Sequence, residues 1–400
     1  MANIPFGDDE IPIFNKYILE AKKDFGGSIF GVCVFQGRDF QIKEPLVFKL
    51  GYLDSNEDRL ISHEYEMLNE LENIKRVPKV KDYGIQGNYI ILIMNLLGPS
   101  LKNLLKECGD KFTLATTLKI SLQLLDILKQ IHKKGIILRY MKPDNMTIGA
   151  KDNKRYIYII DFGLAKKYIK NGQHIKFKNK KHTLGNRHYI SINIHEKKQA
   201  SRRDDIESLG YNMIYFLKGK LPWTNIKKSD LILEKKKETN LDELCENCPI
   251  EFKSFIEYAK KLEFVQEPDY DYLNGLLLKA AKKNGIDVDK VEYDWEILEK
   301  NKKEEKENKE KNISNEGDNY NKDKNDSINA KGDKGNDKKI NNNAIVDDDN
   351  NNGEKKNEIN KNKEVKVINK GEIKENIEKE GNDVKINDKE NKVGEDDKQY

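Results

Sequence analysis

The hydrophobic pattern changes period once, at Leu97-Gly98-Pro99, and that change restricts the fold more than any other feature of the chain. Before it, residues 17–22, 30–38, 45–51 and 89–94 are β-branched and aromatic runs separated by turn residues, the pattern of strands. One segment interrupts them: residues 56–73 space Leu60, Ile61, Met67, Leu68 and Leu71 along one face of a helix. After the Gly-Pro break the long segments are helical. Residues 113–133 put Leu118, Leu122, Leu125, Ile127, Leu128 and Ile131 broadly on one side, and 204–218 and 249–262 are similar. A strand-rich small lobe with one helix, then a helical large lobe, is a bilobal α+β arrangement. The sequence holds no internal repeat.

Composition sets how much of the chain belongs to that arrangement. The chain has 400 residues and a formal net charge of +4. Residues 301–400 contain about 23 Asn, 23 Lys and 26 acidic residues but only about 18 apolar ones, with no Arg and no Pro. Such a segment cannot bury enough apolar surface to offset its ordering entropy, so a disordered Asn/Lys/Glu-rich tail is expected over 300–400. Its charge of about −3 leaves about +7 on the first 300 residues, a length that suits two lobes. Lys and acid alternate in the tail, which argues against a basic nucleic-acid arm. No apolar run approaches the roughly 20 residues of a transmembrane helix. The first ten residues are acidic and lack an apolar core, so a signal peptide is not expected. The 4 cysteines are too few for a disulfide framework and favour a reduced intracellular compartment, cytoplasmic or nuclear.

Several residues could carry chemistry, and their order along the chain is more telling than any one of them. Gly26-Gly27-Ser28-Ile29-Phe30-Gly31 lies between two expected strands, where backbone N–H groups could approach phosphate oxygens; taken alone, such glycines are usually plain turns. Lys49 ends a strand run and Glu64 lies on the following helix, so the acid could hold the ammonium over phosphates; alone, they would be two solvated charges. Asp161-Phe162-Gly163 follows the apolar run 156–160, and a carboxylate at a strand end can reach Mg²⁺. Upstream, Lys142-Pro143-Asp144-Asn145 offers a second metal ligand in Asn145 and a cation in Lys142 for a transferred phosphoryl group. Cys245 and Cys248 have no second pair and no His cluster beside them, so packing is the expected role. Lys235-Lys236-Lys237 reads as a solvated helix end.

In this order the residues resemble the casein kinase I family of eukaryotic Ser/Thr protein kinases, over residues 17–298. The Gly-rich loop, strand Lys, helix Glu, catalytic loop and Asp-Phe-Gly are the general kinase set. Leu96-Leu97-Gly98-Pro99-Ser100-Leu101, Leu164-Ala165-Lys166-Lys167-Tyr168, Ser191-Ile192-Asn193, Ser201-Arg202-Arg203-Asp204-Asp205, Leu221-Pro222-Trp223 and Tyr293-Asp294-Trp295 narrow the likeness to that family. The resemblance implies a bilobal protein kinase fold over 17–299 after an N-terminal extension, 1–16. Its parts would be an N-lobe at 17–94, a hinge at 95–98 and a C-lobe at 99–299. It also implies ATP and Mg as cofactors. Gly26, Ser28, Gly31, Lys49 and Glu64 would serve the nucleotide, with Met94 as gatekeeper and the backbone of Asn95–Leu97 on the adenine. Asn145 and Asp161 would hold the metal, Arg139 and Lys142 would belong to the catalytic loop, and Asp205 would anchor that loop from below. A protein substrate or regulated partner is implied, with no direct nucleic acid, no membrane and a monomeric state.

The chain departs from that family at the group that accepts the proton. The family's loop reads His-Arg-Asp-x-Lys-Pro-x-Asn, whereas this chain reads Leu138-Arg139-Tyr140-Met141-Lys142-Pro143-Asp144-Asn145. A phenol, with an ordinary pKa near ~10, is neutral at pH 7 and a poor base. Tyr140 is also larger than Asp and would fill the place of the acceptor hydroxyl. The family's Thr two residues ahead of the Arg-Tyr pair is Asn186, and its Arg is His188 with Arg187 displaced by one. Two functions are therefore expected to compete. One is a nucleotide-binding pseudokinase with a regulatory or scaffold role; the other is an active Ser/Thr kinase for acidic or primed protein substrates.

Overall fold

Leu46, Phe48 and Leu50 alternate along one strand and all three are buried, the period-two signature of a half-buried sheet. In the computed structural model, which describes residues 10–27 and 31–308, that strand is β4 (Pro45–Tyr52). It lies in a six-stranded antiparallel sheet with β1 (Glu10–Ile13), β2 (Tyr17–Gly27), β3 (Cys33–Asp39), β5 (Val80–Gln86) and β6 (Tyr89–Asn95), in the order β1-β2-β3-β4-β6-β5. Register places Lys49 of β4 opposite Leu92, and Val47 opposite Met94. Ile13, Tyr17, Leu19, Phe35, Phe48 and Ile93 belong to a separate apolar cluster formed by β1, β2, β3, β4 and β6. A helix, α1 (Asn56–Glu70), also packs on β4, β5 and β6 and buries Ile61, Met67 and Leu68. Its start is fixed by Ser55, whose side chain accepts from the Asp58 N–H.

The N-terminal boundary differs from the sequence expectation. The sheet begins inside the expected extension, because β1 pairs with β2 from Glu10↔Glu20 to Ile13↔Tyr17. Arg38 secures that hairpin through Glu10 and Glu20, both at 2.7 Å. The strand expected at 30–38 is β3 from Cys33 onward, and residues 28–30 lie outside the described residues. β5 gave no strand signal because it is an edge strand with Lys81 and Asp82 interrupting its period.

The large lobe follows with α2 (Leu101–Glu107), α3 (Leu114–Lys133), β7 (Ile136–Ile137), β8 (Met146–Ile148), β9 (Ile157–Ile159) and β10 (Lys166–Lys167). It continues with α4 (Ile192–His195), α5 (Arg202–Lys218), α6 (Ser229–Glu238), α7 (Leu241–Leu244), α8 (Ile250–Lys261) and α9 (Tyr270–Lys283). α5 is the central helix: Ile206, Leu209, Tyr211, Met213, Ile214 and Phe216 are all buried, so it is covered on every side. α3 and α8 pack on it and α9 packs on both of them. One apolar cluster runs from Ile61 and Met67 of α1 through Met94 of β6 into α3, α5 and α8, and so joins the lobes. No helix among the described residues is long and apolar enough to cross a membrane.

A clasp beyond α9 closes the large lobe. Asp294 accepts from the Thr113 N–H at 2.6 Å and from its hydroxyl at 2.7 Å, which ties it to the start of α3. Tyr293 and Trp295 stack with centroids 4.3 Å apart, and Trp295 meets Phe112 at 5.4 Å. The backbone stays helical over 294–308, across the expected boundary at 299; the rest of the expected tail, 309–400, lies outside the described residues. Trp295→Ala should cost ~3–5 kcal/mol of unfolding free energy, the usual range for removing a buried Trp side chain. Ending the chain after Asn308 should cost under ~0.5 kcal/mol, because the composition of 309–400 offers too little apolar surface to bury. Urea titrations of both variants and the parent check these values.

Candidate active site

Lys49 points from β4 and Glu64 from α1 into the space between the lobes, where Glu64 is buried and Lys49 half-buried. The Lys49 Nζ donates to Glu64 Oε1 at 2.8 Å and to Oε2 at 2.6 Å. Glu64 Oε1 also accepts from the Phe162 N–H at 3.1 Å, so one carboxyl group joins sheet, helix and the Asp161-Phe162-Gly163 turn. Burial raises the Glu64 pKa and the Lys49 ammonium opposes that rise. For Lys49, burial lowers the pKa but Glu64 and Asp161 outweigh it, so the ammonium is held charged.

Asp161 sits in the left-handed region, with φ +69°, which few residues other than Gly and Asn adopt. Its Oδ1 lies 3.8 Å from Lys49 Nζ and its Oδ2 accepts from Asn145 Nδ2 at 3.3 Å. Asn145 Nδ2 also donates to the Tyr140 carbonyl at 3.2 Å. With the amide nitrogen so engaged, Asn145 Oδ1 is the atom left to face a cation. An amide oxygen beside a carboxyl group is the oxygen-only donor set that suits Mg²⁺, and the nearby ammonium suits phosphate. The site therefore fits a nucleotide with Mg²⁺.

The loop that carries Tyr140 is fixed from below. Asp205, at the start of α5, is 1 % exposed. Its Oδ2 accepts from the Leu138 N–H at 2.7 Å and its Oδ1 from the Arg139 N–H at 2.9 Å. His132 Nε2 reaches the same carboxyl group at 2.9 Å, and His132 Nδ1 lies 2.6 Å from the Tyr270 hydroxyl. With Nε2 as donor, Nδ1 is free to accept from Tyr270. Arg139, with φ +66°, is buried and donates through Nε to the Leu164 carbonyl at 2.7 Å. Burial pulls its pKa down to about 10, against the pull of Asp205.

Tyr140 projects from this anchored loop. It is 6 % exposed, yet it belongs to none of the three apolar clusters of the described residues. The Lys142 ammonium stands over its ring at 5.0 Å. Burial, then the charges of Asp161 and Asp144, push the phenol pKa above its ordinary value of 10.0. At neutral pH this side chain is a hydroxyl and no base.

The other sequence-selected residues fall around this centre. Met94 is buried between the lobes, and Asn95 binds the neighbouring strand, accepting from the Lys79 N–H at 2.6 Å. No acceptor for the Leu97 N–H occurs among the described residues. Gly26 lies near the end of β2, Ser28 lies outside the described residues, and Gly31 has φ +87° with the Glu57 side chain packed against it. Asn186 serves its own turn, its Oδ1 accepting from the His188 N–H at 3.0 Å, and no hydrogen bond joins it to Tyr140 among the described residues. Two contributors escaped sequence reasoning. His63 Nε2 bonds the Ala165 carbonyl at 2.7 Å, and Gly185, with φ +105°, lies so close to the Arg139 carbonyl that a Cβ would come within 2.6 Å. His63 is one residue before Glu64, and that neighbourhood was the only signal for it.

The comparison with known families agrees with this geometry. The family model described as protein kinase domain matches residues 22–268, which is more than half of the chain. Most of the curled antiparallel sheet, most of the helical lobe and the whole Lys-Glu-Asp centre fall in that matched region, and the chain belongs to the protein kinase domain family.

Proposed function

We propose that this is a casein kinase I-like domain that binds ATP and Mg²⁺ but transfers the phosphoryl group weakly or not at all. The observation that carries the reading is Tyr140: a buried, neutral phenol on a loop held in place by Asp205, beside an otherwise assembled cleft. The Asn95–Leu97 backbone would hold the adenine, with Met94 behind it. Lys49, kept in place by Glu64, would bind phosphate oxygens, as would the backbone of the loop that includes Gly26, Ser28 and Gly31. Asn145 and Asp161 would hold the Mg²⁺. Bound ATP·Mg²⁺ supplies the transferable phosphoryl group. The chain's own residues would orient it, but the side chain at the position of the family's base is the neutral Tyr140 phenol. A positioned base is worth about 10²–10⁴-fold, which sets the size of the expected loss.

A second reading, an active Ser/Thr kinase for acidic or primed protein substrates, draws on two observations. The Lys49–Glu64 pair is closed and Phe162 is tied to it, as transfer requires. Arg139, Lys180, His182 and Lys198 also line one pocket. Beside it burial, followed by the charges of Arg139 and Lys180, lowers the Lys166 pKa to about 8. Such a concentration of positive charge favours an acidic ligand.

Two measurements separate the readings. ATP with Mg²⁺ should stabilise the full chain by about 2.7 kcal/mol at a hundredfold excess over Kd, and Asp161→Asn should remove the Mg²⁺-dependent part. No thermal shift and no binding of a labelled nucleotide would remove both readings. Tyr140→Asp should raise phosphorylation of an acidic protein substrate by at least ~10²-fold over the parent. Brisk parental activity that survives Tyr140→Phe and vanishes with Asp161→Asn would establish the active kinase instead, its acceptor losing its proton late in a loose transition state.

A further inference from the structure

Lys236 is the most deeply buried lysine of the described residues, at 1 % exposure, and it lies outside the cleft. It extends from α6 to the segment 185–190, donating to the Arg187 carbonyl at 2.9 Å and to the Ile190 carbonyl at 2.6 Å. Its Nζ also stands over the Tyr211 ring at 4.9 Å and the Trp223 ring at 5.2 Å. Trp223 adds a third tie, from its Nε1 to the His188 carbonyl at 2.8 Å. At its other end this segment meets the catalytic loop, where Gly185 packs on the Arg139 carbonyl, one residue before Tyr140. Lys236 is thus linked to the wall of the cleft through one short stretch of backbone.

We propose that Lys236 is a positioning residue: it holds segment 185–190 against the catalytic loop, and its proton content sets how tightly the segment is held. No carboxyl oxygen forms an ion pair with this ammonium among the described residues; two carbonyl dipoles and two ring faces compensate its burial only in part. An uncharged amine still has two N–H groups, enough for both carbonyls. Losing the proton therefore removes the buried charge and keeps both bonds.

The surroundings fix the sign. Burial lowers the Lys236 pKa from 10.5 to about 7; Glu207 of α5 pulls it back up and Lys260 of α8 pushes it further down. Just after α4, Glu196 is paired with Lys198 and Lys237, and His195 at the end of α4 is held down to about 3, mainly by burial. His188, also mainly through burial, is held below its ordinary value, and the Tyr211 hydroxyl, which donates to Glu207, is held well above 10.0. Arg187 adds a further cation near His195. The histidines and Tyr211 thus titrate outside the window from about 7 to 10.5. Within that window the open segment binds more protons than the closed one, so closing is favoured as pH rises.

Hydrogen–deuterium exchange of the full chain between about pH 7 and about pH 9.5, corrected for intrinsic exchange, tests this. The reporters are the Tyr189 and Ile190 amides, both bonded to the Asn186 carbonyl at 3.0 Å. Their protection should rise with pH, by up to about tenfold per unit for one linked proton, while β4 and β6 show no such slope. Lys236→Met should lower the protection and abolish the slope. Trp223→Phe should lower the protection but keep the slope, and it serves as the test if Lys236→Met fails to fold. A flat profile in the parent, a slope that persists in Lys236→Met, or one lost in Trp223→Phe would overturn the proposal.

Discussion

The carboxyl group of Asp205 is the fixed point of the large lobe. It is buried, and it satisfies two successive loop amides and one imidazole. A buried carboxyl group with three donors is stable only if all three stay in place, so helix α5, helix α3 and the loop cannot shift independently. Tyr168 strengthens the same point by donating to the His132 carbonyl at 2.7 Å. The backbone just ahead of Tyr140, Lys142 and Asn145 is anchored from here.

A second junction, Glu64, couples the lobes. It binds Lys49 of the sheet and the Phe162 amide of the large lobe at once. The side chains proposed to hold a nucleotide and a metal are therefore brought together, and a phenol stands at position 140. Holding a ligand and transferring a phosphoryl group depend on different residues, so one substitution can remove the second and spare the first. Tyr140 keeps the loop intact because Asp205 binds the backbone of Leu138 and Arg139, and no side chain of the loop takes part in that contact.

Much of this was legible in the residues. The β-branched and aromatic run at 45–51 marked β4, and the spacing of Ile61, Met67 and Leu68 marked α1, because burial on one face of a helix imposes a period. Lys49, Glu64, Asn145 and Asp161 stood out because a bound phosphate and cation would need those chemical types, and the fold brings the four together. β1 and β5 were not legible, since short or edge strands bury too little to carry a period. The clasp at 293–295 was visible as a motif, but its docking onto Thr113 was not.

Local period was enough to fix the two-lobed division, and side-chain chemistry to single out the residues proposed to hold a nucleotide and the Tyr at position 140. Long-range packing was needed to pair Lys49 with Glu64, to turn Arg139 inward to the Leu164 carbonyl, and to bury Lys236 on the carbonyls of Arg187 and Ile190. Lys235-Lys236-Lys237 reads in the sequence as a solvated helix end, and that expectation fails at its middle residue. The fold sends Lys236 inward because segment 185–190 brings two carbonyls to α6 that need donors, and a contact between residues 46 positions apart leaves no local period to read.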